Sequence, residues 1–184
     1  MMNRYEKRKK YIKSYAQDVE GNWRYIGQWY TPGDIEKRGP AYRRAFLLHS
    51  LLTAAGTIAV GFLPAGPMMG GRAEGFNYLM LCYSLQFIFA AASVWTGTQI
   101  LRSKLCLEEY DIRYISRLQG FTAACGASAA AVAIAGMIYT IVSGRPGELV
   151  WNLLLTAVSA GVSAVNLLFF HYLKKIPWEI RENH

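Results

Sequence analysis

Four long stretches, approximately Ala45–Pro64, Phe76–Leu101, Leu118–Val142 and Leu149–Leu173, contain no Asp, Glu, Lys or Arg. A bilayer hydrocarbon core of about 30 Å is crossed by roughly 20 predominantly apolar helical residues, and each stretch supplies about that number or more. Lipid offers no partner for backbone N–H and C=O groups, so segments of this kind must satisfy themselves as helices. The expected fold class is therefore an all-α membrane protein, a four-transmembrane-helix bundle over residues 45–173. It follows a basic, aromatic arm (1–44) that holds a short N-terminal cytoplasmic β-hairpin, and precedes a tail over 174–184. No short apolar core with a small-residue cleavage site stands near Met1, so the first helix is expected to act as an uncleaved signal anchor.

The net charge of +8 points to a membrane by its placement. Eleven Lys and Arg lie in residues 1–44, four in 102–117 and three in 174–184, whereas the two other connections carry one each, Arg72 and Arg145. Short loops rich in Lys and Arg stay on the cytoplasmic side, so both termini are expected inside a cell (inner or plasma) membrane, with the 65–75 and 143–148 loops outside. Six cations and one acid in residues 3–13 form a basic arm that anionic lipids of the inner leaflet would attract, at about 1 kcal/mol per cation. No fold for reading bases accompanies this charge, which argues against nucleic acid as a partner. Of the three cysteines, Cys82 and Cys125 fall within spans and Cys106 in a cytoplasmic segment, without CxxC or Cys/His spacing, so neither a disulfide nor a zinc site is expected. No cofactor is implied.

Aromatic and polar residues alternate in Tyr11–Tyr15 and in Trp23–Tyr30, around a turn at Val19-Glu20-Gly21-Asn22. Period-two alternation about a Gly-Asn turn predicts a hairpin, with Tyr11, Tyr15, Trp23, Tyr25 and Trp29 as its aromatic face. An isolated two-stranded hairpin is marginal in water. This one should lean on lipid headgroups, on the 102–117 segment or on another protein, either as a docking surface or as a structural cap. Pro32-Gly33-Asp34 and Gly39-Pro40 interrupt the chain before the first span. Leu107, Tyr110, Tyr114 and Leu118 recur at spacings of three and four, which predicts a helix with an apolar side over Leu105–Arg117. A shift of 73 residues sets Arg44 on Arg117, Gly71-Arg72 on Gly144-Arg145, Tyr78 on Trp151 and Arg102 on Lys175. That is the mark of a parallel tandem repeat, or of topology signals that any helical hairpin shares.

Chemistry within the spans is limited to neutral groups. Transporters and intramembrane enzymes usually carry an ionisable group at depth. Here the polar inventory is His49, Asn77, Gln86, Gln99, Asn152, Asn166 and His171 together with Ser, Thr and Tyr. Asn77, Gln99, Asn152 and His171 fall near span ends. Gln86 and Asn166 look deep, where an amide needs a partner on a neighbouring helix or a substrate. Trp95 lies inside the second span, at a depth that suits packing or a cavity wall. His49 and His171 sit at comparable depth near the cytoplasmic ends of the first and fourth spans, but without a carboxylate or thiol at metal-binding spacing they read as interfacial histidines. Trp178, after Pro177, is expected to hold the tail against the inner interface. No nucleophile elbow, HExxH or phosphate-binding glycine loop occurs.

Small residues mark the third and fourth spans. Gly120, Ala123, Ala127, Ala131 and Ala135, with Ala160 and Ala164, form faces that let another backbone approach closely. They serve packing within the bundle, or association with further copies or a larger membrane-protein complex. Two functions follow. The first is a non-enzymatic accessory or structural subunit that docks through these faces and the hairpin. The second is a small oligomeric transporter or channel with a pathway lined by Gln86, Asn166 and Trp95. An intramembrane enzyme ranks below both.

Overall fold

The computed structural model describes residues 14–17, 20–63, 76–109, 111–143 and 149–181. The basic run at 3–13, Tyr11, Arg72, Arg145 and the two loops expected outside lie beyond the described residues. Four long helices form the body: α1 (Ile35–Phe62), α2 (Phe76–Arg102), α3 (Arg113–Ser143) and α4 (Leu149–Lys174). At 1.5 Å per residue each is about 39 Å or longer, and all four are long and apolar enough to cross a membrane.

Contacts fix the topology. Tyr83 meets Gly61, Gln86 meets Thr57 and Gly97 faces Ser50, so α1 and α2 run antiparallel. Ser93 with Thr122 does the same for α2 and α3, Gly126 with Ser163 and Gly136 with Leu155 for α3 and α4, and Phe46 with Phe169 for α4 and α1. Each helix packs on its chain neighbours and α4 closes back on α1, most extensively at α3 against α4. Small residues set these distances. A Cβ on Gly126 would lie 3.4 Å from Asn166 Cβ and 3.5 Å from the Ser163 carbonyl oxygen, so α3 and α4 are close enough here that a Cβ would be in van der Waals contact and anything larger would crowd α4.

The end of the bundle at which α1 begins and α4 ends is closed by strands: β1 (Tyr15–Gln17), β2 (Trp23–Tyr25), β3 (Trp29–Pro32), β4 (Leu107–Glu108) and β5 (Trp178–Arg181). β1 and β2 form the hairpin, Tyr15 opposite Tyr25 and Gln17 opposite Trp23, with Gly21 at φ 83° in its turn. β3 does not extend it. It stands at the centre of a second, antiparallel sheet in the order β4–β3–β5, pairing Tyr30 with Leu107 on one side and with Ile180 on the other. Pro32, without an N–H, occupies the last position of β3. The arm, the α2–α3 connection and the tail are thereby one structural unit.

Two expectations are corrected here. Residues 105–109, 111 and 112 are not helical: Lys104 (φ 57°) and Leu105 (φ 65°) are both left-handed, and their amides bond the carbonyls of Leu101 and Ile100 in a Schellman-type turn that ends α2, while Tyr110 lies outside the described residues. The reversal lays Leu107 into β4, and α3 begins only at Arg113. The left-handed backbone at Leu105 is compensated by full burial of its side chain with Tyr42, Phe46, Ile100, Leu118 and Leu173. Second, α1 starts at Ile35, ten residues before the apolar stretch, and runs through Pro40 at the loss of one backbone bond to the Glu36 carbonyl. The tail itself is held by Trp178, which pairs with Pro32 in β5 and packs against the terminal core.

Candidate functional site

The interior of the four-helix body is polar and small, while its exterior is large and apolar. Leu47, Leu48, Leu51, Leu52, Ile58, Ile88, Ile138 and Leu168 are all more than half exposed. Thr53, Gln86, Ser93, Thr122, Ser159 and Asn166 are fully buried. In water that distribution would leave the hydrophobic effect unused outside while neutral polar groups were desolvated inside. Helices that already have lipid around them associate instead through small residues and interhelical hydrogen bonds, and these are what the interior contains.

One buried network stands out. His49, Thr53 and Thr57 recur every four residues along α1 and line its inner face. The Asn166 amide donates from Nδ2 to the Val162 carbonyl (2.9 Å) and to Thr53 Oγ1 (3.3 Å), and its Oδ1 lies 3.1 Å from His49 Nε2. A carbonyl can only accept, so the NH2 of Asn166 faces Val162 and its oxygen faces the ring. His49 must then carry a proton on Nε2 to complete the bond. The imidazole also stacks on Phe169, centroids 3.9 Å apart and planes 12° from parallel. One layer away, Gln86 Nε2 donates to Thr57 Oγ1 at 3.4 Å, while the Tyr83 hydroxyl donates to the Thr57 carbonyl. Among the described residues Gln86 Oε1, Ser50 Oγ and Ser159 Oγ are buried without a hydrogen-bond partner.

Gln86 and Asn166 are thus both interior, each tied to α1. Trp95 is placed elsewhere: it is 63% exposed on the outer face of α2. There it lines a groove of about 420 Å³ between α1 and α2, whose walls include Ala54, Ile58, Phe87, Ala91 and Thr98 but neither amide. His49, read from sequence as interfacial, is the buried partner of Asn166, and its spacing with Thr53 and Thr57 was the available signal. His171 is exposed and bonds the Leu167 carbonyl of its own helix. Among the described residues no group of three or more His, Cys, Asp or Glu is placed to hold a metal ion.

The small-residue faces also point away from the interior. α3 packs inward through Thr122, Cys125, Gly126, Ala129, Val132 and Gly136. Ala123, Ala127, Ala131 and Ala135 occupy the opposite side, with Ala127 exposed and the others half-buried. Gly120, Ala160 and Ala164 are exposed, and a Cβ added at Gly120 would meet nothing within 4 Å.

At the closed end the aromatic hairpin rests on the α2–α3 connection. Tyr15 Oη donates to Glu108 Oε2 at 2.6 Å, and Tyr25 Oη accepts from the Glu109 amide at 3.0 Å and donates to the Gln28 carbonyl. Tyr25 packs edge-on against both Tyr15 and Trp29. Burial pushes the Tyr25 phenol above its ordinary value, against the lowering by the Glu109 amide. Among the described residues of the aromatic face only Trp23 is left largely exposed.

No known protein family, curated protein or solved structure matches this chain.

Proposed function

We propose that the chain is a non-enzymatic multi-pass membrane protein that serves as an accessory or structural subunit, binding other membrane proteins through the outward small-residue sides of α3 and α4. The observation that carries this reading is the inverted interior: neutral amides and hydroxyls bond helix to helix inside, while Leu, Ile and Phe cover the outside. Gly120, Ala127, Ala160 and Ala164 interrupt that apolar cover with surface on which a further helix can approach closely. The sheet gathers strands from the arm, the α2–α3 connection and the tail at one end, and these segments hold eighteen of the twenty cations. That end is assigned to the cytoplasm of the cell membrane by the positive-inside rule, and the exposed Trp23 side of the hairpin is its docking surface.

Extraction in mild detergent, crosslinking and mass spectrometry test the assignment. An accessory subunit yields reproducible heteromeric partners that are lost in Ala127→Leu and Ala164→Leu variants. A transporter yields a lone homo-oligomer. The unpartnered oxygens of Gln86, Ser50 and Ser159 favour that second reading, as buried polar groups that a solute in the interior could bond. Gln86→Leu and Asn166→Leu would then abolish flux, whereas a packing role changes stability alone.

A further inference from the structure

We propose that the groove between α1 and α2 binds one anionic phospholipid, an acyl chain lying along Ala54, Ile58, Ala91 and Trp95 and the phosphate held between Arg43 and Arg102. The inference rests on the membrane reading above and adds a specific lipid to it. The groove is apolar along its length and open to the side of the bundle, with Trp95 as its exposed wall. On α1, Arg43 stands eleven residues before Ala54, about three full turns, and therefore on the same side of the helix. Leu47 and Leu51, both more than half exposed, continue the apolar path between them. On α2, Arg102 stands eleven residues after Ala91, again about three turns and the same side.

The two arginines are also level with each other. Ser50 faces Gly97, where a Cβ would lie 3.6 Å from the Ser50 hydroxyl. From that crossing Arg43 is seven residues, about 10 Å, and Arg102 five residues, about 7–8 Å, toward the same end of the antiparallel pair. Both side chains are exposed, and neither is paired with a carboxylate among the described residues. Two guanidinium groups at the mouth of an apolar channel complement a phosphate attached to a hydrocarbon chain, since planar N–H forks match phosphate oxygens. A second helix in the groove would leave both cations at the headgroup level without a counter-charge.

The purified full chain in mild neutral detergent is examined by native mass spectrometry with phosphatidylglycerol or phosphatidylcholine of identical acyl chains. One phosphatidylglycerol per chain should be retained, about tenfold or more in preference to phosphatidylcholine. Arg43→Gln with Arg102→Gln should abolish the preference. Ala91→Trp, which fills the groove from its exposed side, should abolish retention with the melting temperature unchanged. Equal retention of both lipids overturns the proposal. So does phosphatidylglycerol binding that survives Ala91→Trp, since headgroup attraction alone would then explain it, and so does a dimer that Ala91→Trp dissociates while lipid retention persists. A chain that needs detergent yet shows no anionic preference sinks this proposal only. A chain that stays dispersed without detergent sinks the membrane reading with it.

Discussion

His49 and Asn166, 117 positions apart, meet Nε2 to Oδ1 at 3.1 Å in the buried seam between α1 and α4. The pair is a coupled unit, because Asn166 also holds Thr53 and His49 also stacks on Phe169. Asn166→Leu strips a partner from both α1 groups, while His49→Phe keeps the ring stack and removes only the polar bond. Each substitution is expected to lower thermal stability in detergent by about 1 kcal/mol. The double variant should lose less than the sum, with a coupling of about 0.6–1.7 kcal/mol as found for interhelical bonds in membranes. Strictly additive losses in the cycle would show that the contact contributes nothing.

The Tyr15–Glu108 bond ties the hairpin to the α2–α3 connection across 93 positions. Tyr15→Phe preserves the edge-on contact with Tyr25 and removes the donor to a carboxylate, at a cost of about 1–2 kcal/mol for a partly exposed charged bond. That loss should be local. Amide exchange in Trp23–Tyr25 should accelerate roughly tenfold, with exchange in the helices unchanged. Unaltered protection of β2 would mean that the hairpin stands without the connection.

The helices were legible in the sequence because the absence of charge over twenty or more residues leaves few alternatives. Which side of each helix faces inward was not. Ala123–Ala127–Ala131–Ala135 and Thr122–Cys125–Ala129–Val132 are stripes on opposite sides of one cylinder, and both are small enough to pack; only the position of the neighbours separates them. The burial of His49 was not legible, because a histidine near a span end finds water as readily as a partner, although its four-residue spacing with Thr53 and Thr57 marks a polar inner face. The burial of Gln86 and Asn166 was legible by depth; for Trp95 depth left packing and a cavity wall open, and it did not tell that the wall faces outward. The β4–β3–β5 sheet left almost no local signal. Its strands have two to four residues and come from three segments roughly 75 positions apart, so pairing energy, rather than propensity, creates them.

Burial, with the Glu108 carboxylate adding to it, holds the Asp111 carboxyl above its ordinary value of 3.8. The folded chain therefore binds this proton more tightly than the unfolded chain. The contribution to stability is full below the ordinary value and is lost as the pH rises through the raised one. Exchange of the Tyr114 amide, which bonds the Asp111 carbonyl, should slow as the pH falls through this window after correction for intrinsic rates. Asp111→Asn should flatten that dependence. An unchanged profile in the variant would place the titration on another group.

Gly126 and Gly120 lie on the same helix six residues apart, yet the structure gives them opposite roles. At Gly126 an added side chain meets Asn166, Leu167 and the Ser163 carbonyl, and Ser163 Oγ also donates to the Gly126 carbonyl at 2.9 Å. Gly126→Leu must push α4 away from α3 and strain the Asn166 network with it. A loss of about 1–3 kcal/mol is expected from overpacking, read as a lower melting temperature of the detergent-solubilised chain. At Gly120 nothing stands within 4 Å of a new Cβ, so Gly120→Leu should melt like the wild type. If the outward small face receives another membrane protein, Gly120→Leu should nevertheless reduce crosslinked partner, because the incoming helix loses its close approach. Equal melting temperatures for the two variants would refute the assigned α3 orientation. A partner yield untouched by Gly120→Leu would move the docking surface off this part of α3.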